Sequence, residues 1–287
     1  MLRAFLLVVV GLAGDPEQGE LFRKWAADLA AASERLGVAR EQIVQVGGEN
    51  AATREGIQKA FATLAGRATT DDMVMVVLFG HGTFDGRAAK FNLSGPDLVA
   101  ADFAPLLASL PSKHVVFVNT ASASGPFIEA LAKPGRTIIT ATRSGSEQFA
   151  TLFGGYFVDA LTADTADTDK NRRISVLEAF EHARGEVARA YEREGLLATE
   201  HALIDDAGKA AGTLTLGSAD ASAASGLPAD PKLRALYEER REIERRLESL
   251  KLLKSGMDQQ RYLAELEKLA TALALKSREI RQAEGKS

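Results

Sequence analysis

Two apolar runs that stop abruptly at small, polar residues constrain this chain more than any other feature. Met73-Val-Met-Val-Val-Leu-Phe79 stops at Gly80-His81-Gly82, and His114-Val-Val-Phe-Val-Asn119 stops at Thr120-Ala-Ser122-Ala-Ser124-Gly125. Neither run alternates apolar with polar residues, so both read as strands buried on both faces, as in a parallel sheet covered by helices. In such sheets the loops at the carboxyl ends of the strands carry the chemistry. A histidine between glycines ends one strand, and a serine in a small-residue turn ends the other.

The rest of the chain supplies the helices that a parallel sheet requires. Phe5 to Val10 reads as a first strand, β-branched at Val8, Val9 and Val10 and closed by Gly11. The same residues, after Met1-Leu-Arg3 and before Gly11-Leu-Ala13, also fit a short export signal; length and β-branching favour the strand. Gly14-Asp-Pro-Glu opens a helix with Leu21, Phe22, Trp25 and Leu29 at helical spacing, ended by Gly37. A strand over 42–46 and a helix carrying Ile57, Ala60, Phe61 and Leu64 follow. The stretch 83–96 reads as an edge loop or small hairpin, and 97–110 as a helix. A strand over 136–141, a helix over 149–161 and another running to about Arg193 complete the pattern. Strands alternating with helices predict right-handed crossovers and a mostly parallel sheet of about six strands. Gly212 to Asp230, rich in Ala, Ser and Gly, reads as a flexible linker between a domain over 1–211 and a segment over 231–287. In that last segment Leu233, Leu236, Ile243, Leu247 and Leu250 form one seam, and Leu263, Leu266, Ala270, Leu273 and Ile280 a second. With Ser255-Gly256 between them, they predict an antiparallel helical hairpin, a coiled coil that either closes on itself or offers a surface to a protein partner or a second copy.

The order of the two strand-end motifs resembles the caspase and legumain superfamily of cysteine peptidases, and the legumain-type bacterial proteins in particular. The resemblance covers roughly residues 5 to 205. It implies a caspase-like α/β fold, a three-layer sandwich, with His81 in the place of the catalytic histidine and Ser122 in the place of the nucleophilic cysteine. It further implies that the backbone amides of Gly82 and Ser122 hold the oxyanion. The chain contains no cysteine, so thiol catalysis, disulfides and thiolate metal sites are excluded. A serine hydroxyl needs a base in tight contact and a third group to orient that base. No acidic partner for His81 is evident, although Asp85 is close in sequence. The expected function is therefore a peptidase homologue, a non-catalytic binding or scaffold protein with a protein or peptide in its cleft. The alternative is a serine-variant endopeptidase using Ser122 and His81, and His81 also admits a plain structural role. His114, His182 and His201 stand singly and read as structural or exposed.

A second motif is separable from the first. Asp167, Asp169, Asn171, Ser175 and Glu178 occupy positions one, three, five, nine and twelve of an EF-hand-type loop over 167–178. Arg173 stands at position seven, which ligates through its carbonyl, and Ile174 at position eight. Arg172 stands where the turn wants glycine. The competing account is a helix start in which Ser175 caps and Glu178 completes a capping box. Calcium is the one cofactor this sequence suggests.

A net charge of −4 gives no ground for nucleic-acid binding. No run reaches the roughly 18 apolar residues of a membrane span, so the chain reads as soluble, cytoplasmic or periplasmic. The first strand is not followed by a dinucleotide-binding glycine pattern, no phosphate-loop lysine occurs, and Ser122 lacks the flanking glycines of an α/β-hydrolase elbow.

Overall fold

The computed structural model describes residues 3–217, 219–220 and 224–285. Within the stretch read as a linker, residues 218 and 221–223 lie outside the described residues. The chain divides into two units, Met1–Val187 with Ala198–Ala224, and Ala188–Leu197 with Ser225–Ser287.

The first unit is built on β1 (Ala4–Val10), β2 (Ile43–Val46), β3 (Met73–Phe79), β7 (His114–Asn119), β8 (Arg136–Thr140) and β9 (Leu203–Asp205). Their order across the sheet is β2-β1-β3-β7-β8-β9. The first five run parallel and β9 is antiparallel to β8. Every residue of β1 and β3 is buried, which explains their unbroken apolar sequence. β1 is thus a central strand, in register with β2 on one side and β3 on the other.

Helices cover both faces. On one lie α2 (Arg54–Ala65), α3 (Ala100–Ala108) and α4 (Phe127–Leu131), whose Ile57, Phe61, Phe103, Leu107 and Leu131 join Val76, Phe117 and Ile138 of the sheet in one core. Phe103 and Phe117 meet edge-on at 5.3 Å, a geometry that adds to their area burial. On the other face lies α1 (Pro16–Arg35), whose Trp25 sits 6.1 Å from the Phe79 ring. α5 (Phe153–Ala160) lies beneath the same indole. A Cβ at Gly155 would stand 2.8 Å from the ring, so only glycine allows that approach. α6 (Val176–Arg193) joins α5 through Phe180 and Phe153, 6.1 Å apart. This is the three-layer, caspase-like α/β architecture.

The stretch 83–96 and its flanks form a small antiparallel sheet of β4 (Gly82–Phe84), β5 (Ala89–Phe91) and β6 (Leu98–Val99), which continues from the end of β3. Of the stretch read as a linker, Leu214 and Leu216 are buried, and Thr215 bridges Ser175.

The second unit holds α7 (Pro231–Leu253) and α8 (Gln259–Ala283), joined by a 3-10 turn over Lys254–Gly256. Asp258 caps α8 by accepting from the amides of Gln260 and Arg261, an arrangement that contributes about 1 kcal/mol. Leu250, Tyr262 and Leu269 form the hairpin core, with Ile243, Leu247, Met257 and Leu266 against it. The Tyr237 hydroxyl donates to Glu284 at 2.6 Å, which fixes the antiparallel register. The end of α6 belongs to this unit: Arg193 pairs with Glu242 at 3.5 Å and Arg261 donates to the Glu194 carbonyl at 2.5 Å. Among the described residues, no helix is long and apolar enough to cross a membrane.

Candidate functional site

The parallel pairing of β3 with β7 places their carboxyl ends side by side, Leu78 opposite Asn119. After β3 the chain is held extended: the His81 amide donates to the Leu12 carbonyl at 2.8 Å and the Asn92 amide to the His81 carbonyl at 3.0 Å. After β7 the Asn119 side chain accepts from the Ala121 amide at 3.1 Å and turns the chain back. Ala123 takes a left-handed φ of 53°, which a non-glycine residue adopts only when its neighbours fix it. The Glu147 carbonyl does so here, accepting from the Ala123 amide at 2.7 Å.

These two turns bring His81, Gly82 and Ser122 together. Ser122 Oγ donates to the Gly82 carbonyl at 2.9 Å and accepts from the Gly82 amide at 3.2 Å. His81 Nδ1 stands 3.4 Å from the same oxygen. The strand ends are so close that a Cβ on Gly82 would collide with the Ser122 carbonyl. Ser122 is 2% exposed. Behind it the Thr142 hydroxyl accepts from the Gly125 amide at 3.0 Å and meets Ser124 Oγ at 3.1 Å, pinning the turn to the end of β8.

Asp85 does not serve His81. Its carboxylate holds Lys90 at 2.8 Å and accepts from the amides of Arg87 and Ala88, which keeps its pKa well below the usual carboxylate range. The partner of His81 is Gln18, whose Oε1 accepts from Nε2. Gln18 is placed there by its own helix start, since its amide donates to the Asp15 cap at 2.8 Å. A neutral imidazole that donates Nε2–H to Gln18 turns the Nδ1 lone pair toward Ser122. Phe22 packs edge-on against the ring at 5.9 Å. Burial lowers the His81 pKa below 6.5, and the charge of Asp15 offsets this only in part.

The rim of the site includes His201, which has no partner close in sequence. Its Nδ1 donates to Glu147 at 2.6 Å, and Arg143 reaches the same carboxylate oxygen at 3.1 Å. The neighbouring Glu200, 3% exposed, accepts from the amides of Leu152 and Phe153 and caps α5. The 141–152 loop is thereby held by two adjacent residues from far along the chain.

The acidic loop lies at the start of α6. One carboxylate oxygen from each of Asp167, Asp169 and Glu178 falls within 4.8 Å of the others. Asp167 accepts from the amides of Asn171 and Arg172, and Asn171 Oδ1 accepts from the Arg173 amide. Ser175 and Glu178 form the reciprocal capping box, with Ser175 N donating to Glu178 at 2.9 Å and Glu178 N to Ser175 Oγ at 3.2 Å. The other Glu178 oxygen accepts from Thr168. Burial pushes the Glu178 pKa up, but the donors of Ser175, Thr168 and Asp169 together outweigh it, and the net direction is down. Arg172 takes φ 67°, the left-handed conformation that the sixth position of such a loop requires.

No curated protein matches the chain at a significant level. The family model of the Peptidase C13 family matches residues 14–204, a span that contains Gln18, His81, Ser122, the 141–152 loop and the acidic loop. With two thirds of its length matched and both strand ends inside the match, the chain belongs to the Peptidase C13 family.

Proposed function

We propose that this chain is a member of the family without the thiol nucleophile, with Ser122 in its place, and that it holds a protein or peptide partner in the strand-end cleft without cleaving it. The state of the Ser122 hydroxyl carries this reading. A serine nucleophile must direct its proton at a base and leave an amide free for the oxyanion. Here the proton goes to the Gly82 carbonyl, and the Gly82 amide is spent on Oγ. His81, its pKa lowered by burial, is a weaker base than a free imidazole. One observation favours the second reading, a serine endopeptidase: the Gln18 contact leaves Nδ1 facing the hydroxyl.

One experiment separates the two. A fluorophosphonate probe is expected to leave Ser122 unmodified, and the chain to leave peptides intact. Ser122→Cys is expected to react with a thiol-directed electrophile more slowly than the same residue in the unfolded chain, because the side chain is buried and His81 resists protonation. Labelling of Ser122 that disappears in His81→Ala would overturn the binding reading in favour of the hydrolase.

Two further parts belong to this proposal. The loop over 167–178 binds calcium through Asp167, Asp169, Asn171, the Arg173 carbonyl, Ser175 and Glu178, the ion replacing the internal donors that now satisfy these oxygens. The segment 231–287 is the docking hairpin, separated by 212–230 from the cleft-bearing domain over 1–211.

A further inference from the structure

The two outer strands of the main sheet are not alike. β9 ends at Asp205, followed by Asp206, and adjacent charges discourage further pairing. Among the described residues β2, Ile43-Val-Gln-Val46, pairs only with β1, and it contains no charge and no proline. Soluble proteins ordinarily blunt such an edge with charge, proline, a bulge or a covering segment. β2 is limited only by being short.

The charges lie instead at the two ends of this edge. Beyond the carboxyl end, Arg23 of α1 and Glu49 of the next loop line one cleft together with Ala26, Ala27, Gln45 and Gly48. Arg23 and Glu49 are exposed, and among the described residues neither makes an ion pair. Beyond the amino end, Arg40 and Glu34 form an exposed pair at 3.6 Å, with the Arg40 side chain 87% exposed. Each of these two pairs joins one charge of each sign, one from the helix layer and one from the strand layer; at the amino end Glu41 is also exposed, and Arg35 is turned to the Ala224 carbonyl. The signs are opposed within each layer: Arg23 against Glu34 along α1, and Glu49 against Arg40 along the β2 segment.

Such an arrangement is self-complementary under a two-fold axis, which brings the same patch of two copies together in opposite directions. An antiparallel ladder pairing Val44 with Gln45 of the second copy also pairs Ile43 with Val46. Carried outward, it sets Arg40 opposite Glu49 of the second copy, and the antiparallel α1 helices bring Arg23 toward Glu34. Both layers match in one operation. We propose that β2 is the joining edge of a symmetric dimer, in which antiparallel β2–β2 pairing makes one continuous sheet and the end charges fix the register. The occupant of this edge is a second copy of the chain.

Sedimentation of the full chain over a dilution series tests this, with thermal unfolding by circular dichroism confirming that each variant folds. The chain is expected to dimerise reversibly. Glu49→Arg sets like charges against each other at both ends and is expected to weaken the dimer by about tenfold or more, whereas Arg40→Glu combined with Glu49→Arg restores it. Gln45→Lys, which places a charge on the edge itself, is expected to give a monomer. A monomer at every concentration, or a dimer indifferent to Glu49→Arg and Gln45→Lys, overturns the proposal.

Discussion

His81 resists protonation in the folded chain, because burial lowers its pKa and Asp15 restores only part of the loss. The sign follows directly. Below the ordinary value of 6.5 the unfolded chain binds a proton that the folded chain does not, so stability falls as pH falls. The loss stops once the pH passes below the folded pKa. One such proton contributes a slope of at most about 1.4 kcal/mol per pH unit. His81→Asn is expected to flatten the acid side of the stability profile, measured by urea unfolding between about pH 5 and 7; an unchanged slope would place the titrating group elsewhere. His81 and Ser122 were legible in the sequence because each sits where an apolar run meets small residues, and strand pairing does the rest. Gln18 was not legible, because nothing in its surroundings marks it. It reaches the imidazole only because Asp15 starts α1 directly above the end of β3. Asp85, close in sequence, is held by Lys90 and two backbone amides instead. The pairing of Glu147 with His201 was not legible either, since 54 positions separate them.

At the scale of elements, the acidic loop makes the most direct claim. An ion that binds the folded loop and not the unfolded chain raises the melting temperature by mass action. Millimolar calcium is expected to do so, Asp167→Ala to abolish the rise, and Arg172→Gly to raise the melting temperature with and without calcium, because φ 67° is strained for arginine by about 1–2 kcal/mol. Identical melting curves with and without calcium would leave the capping box as the loop's whole purpose. Elements with long, one-sided or unbroken apolar patterns were readable: β1, β3, β7, α1, α2 and both hairpin helices. Short ones were not. β9 has three residues and owes its place to β8. The helix expected over 97–110 gives up Leu98 and Val99 to β6 before α3 begins. The helix expected from 149 starts at Phe153, because Glu200 caps it there and leaves Phe149 60% exposed. A cap contributed from so far along the chain leaves no local trace.

For the whole molecule, the boundary between the two units falls inside α6, which begins at the acidic loop and ends among the hairpin's partners. Removal of residues 225–287 is expected to leave the amides of β1, β3 and β7 protected from hydrogen exchange. Those of 188–197 are expected to exchange like a frayed helix end, because Arg193 and Glu194 lose Glu242 and Arg261. Protection at 188–197 that survives the deletion would show that this helix end needs no hairpin. The sheet order also has a consequence in time. β8 ends at Thr140, and the strand that covers its outer edge begins only at Leu203. Chains emerge from the ribosome at about 5–20 residues per second, so β8 spends several seconds as an open edge. That edge is Arg136-Thr-Ile-Ile-Thr140, β-branched at every position but the first, the composition most apt to pair with another nascent chain. The sheet is therefore most vulnerable during synthesis, in the interval before its last strand arrives.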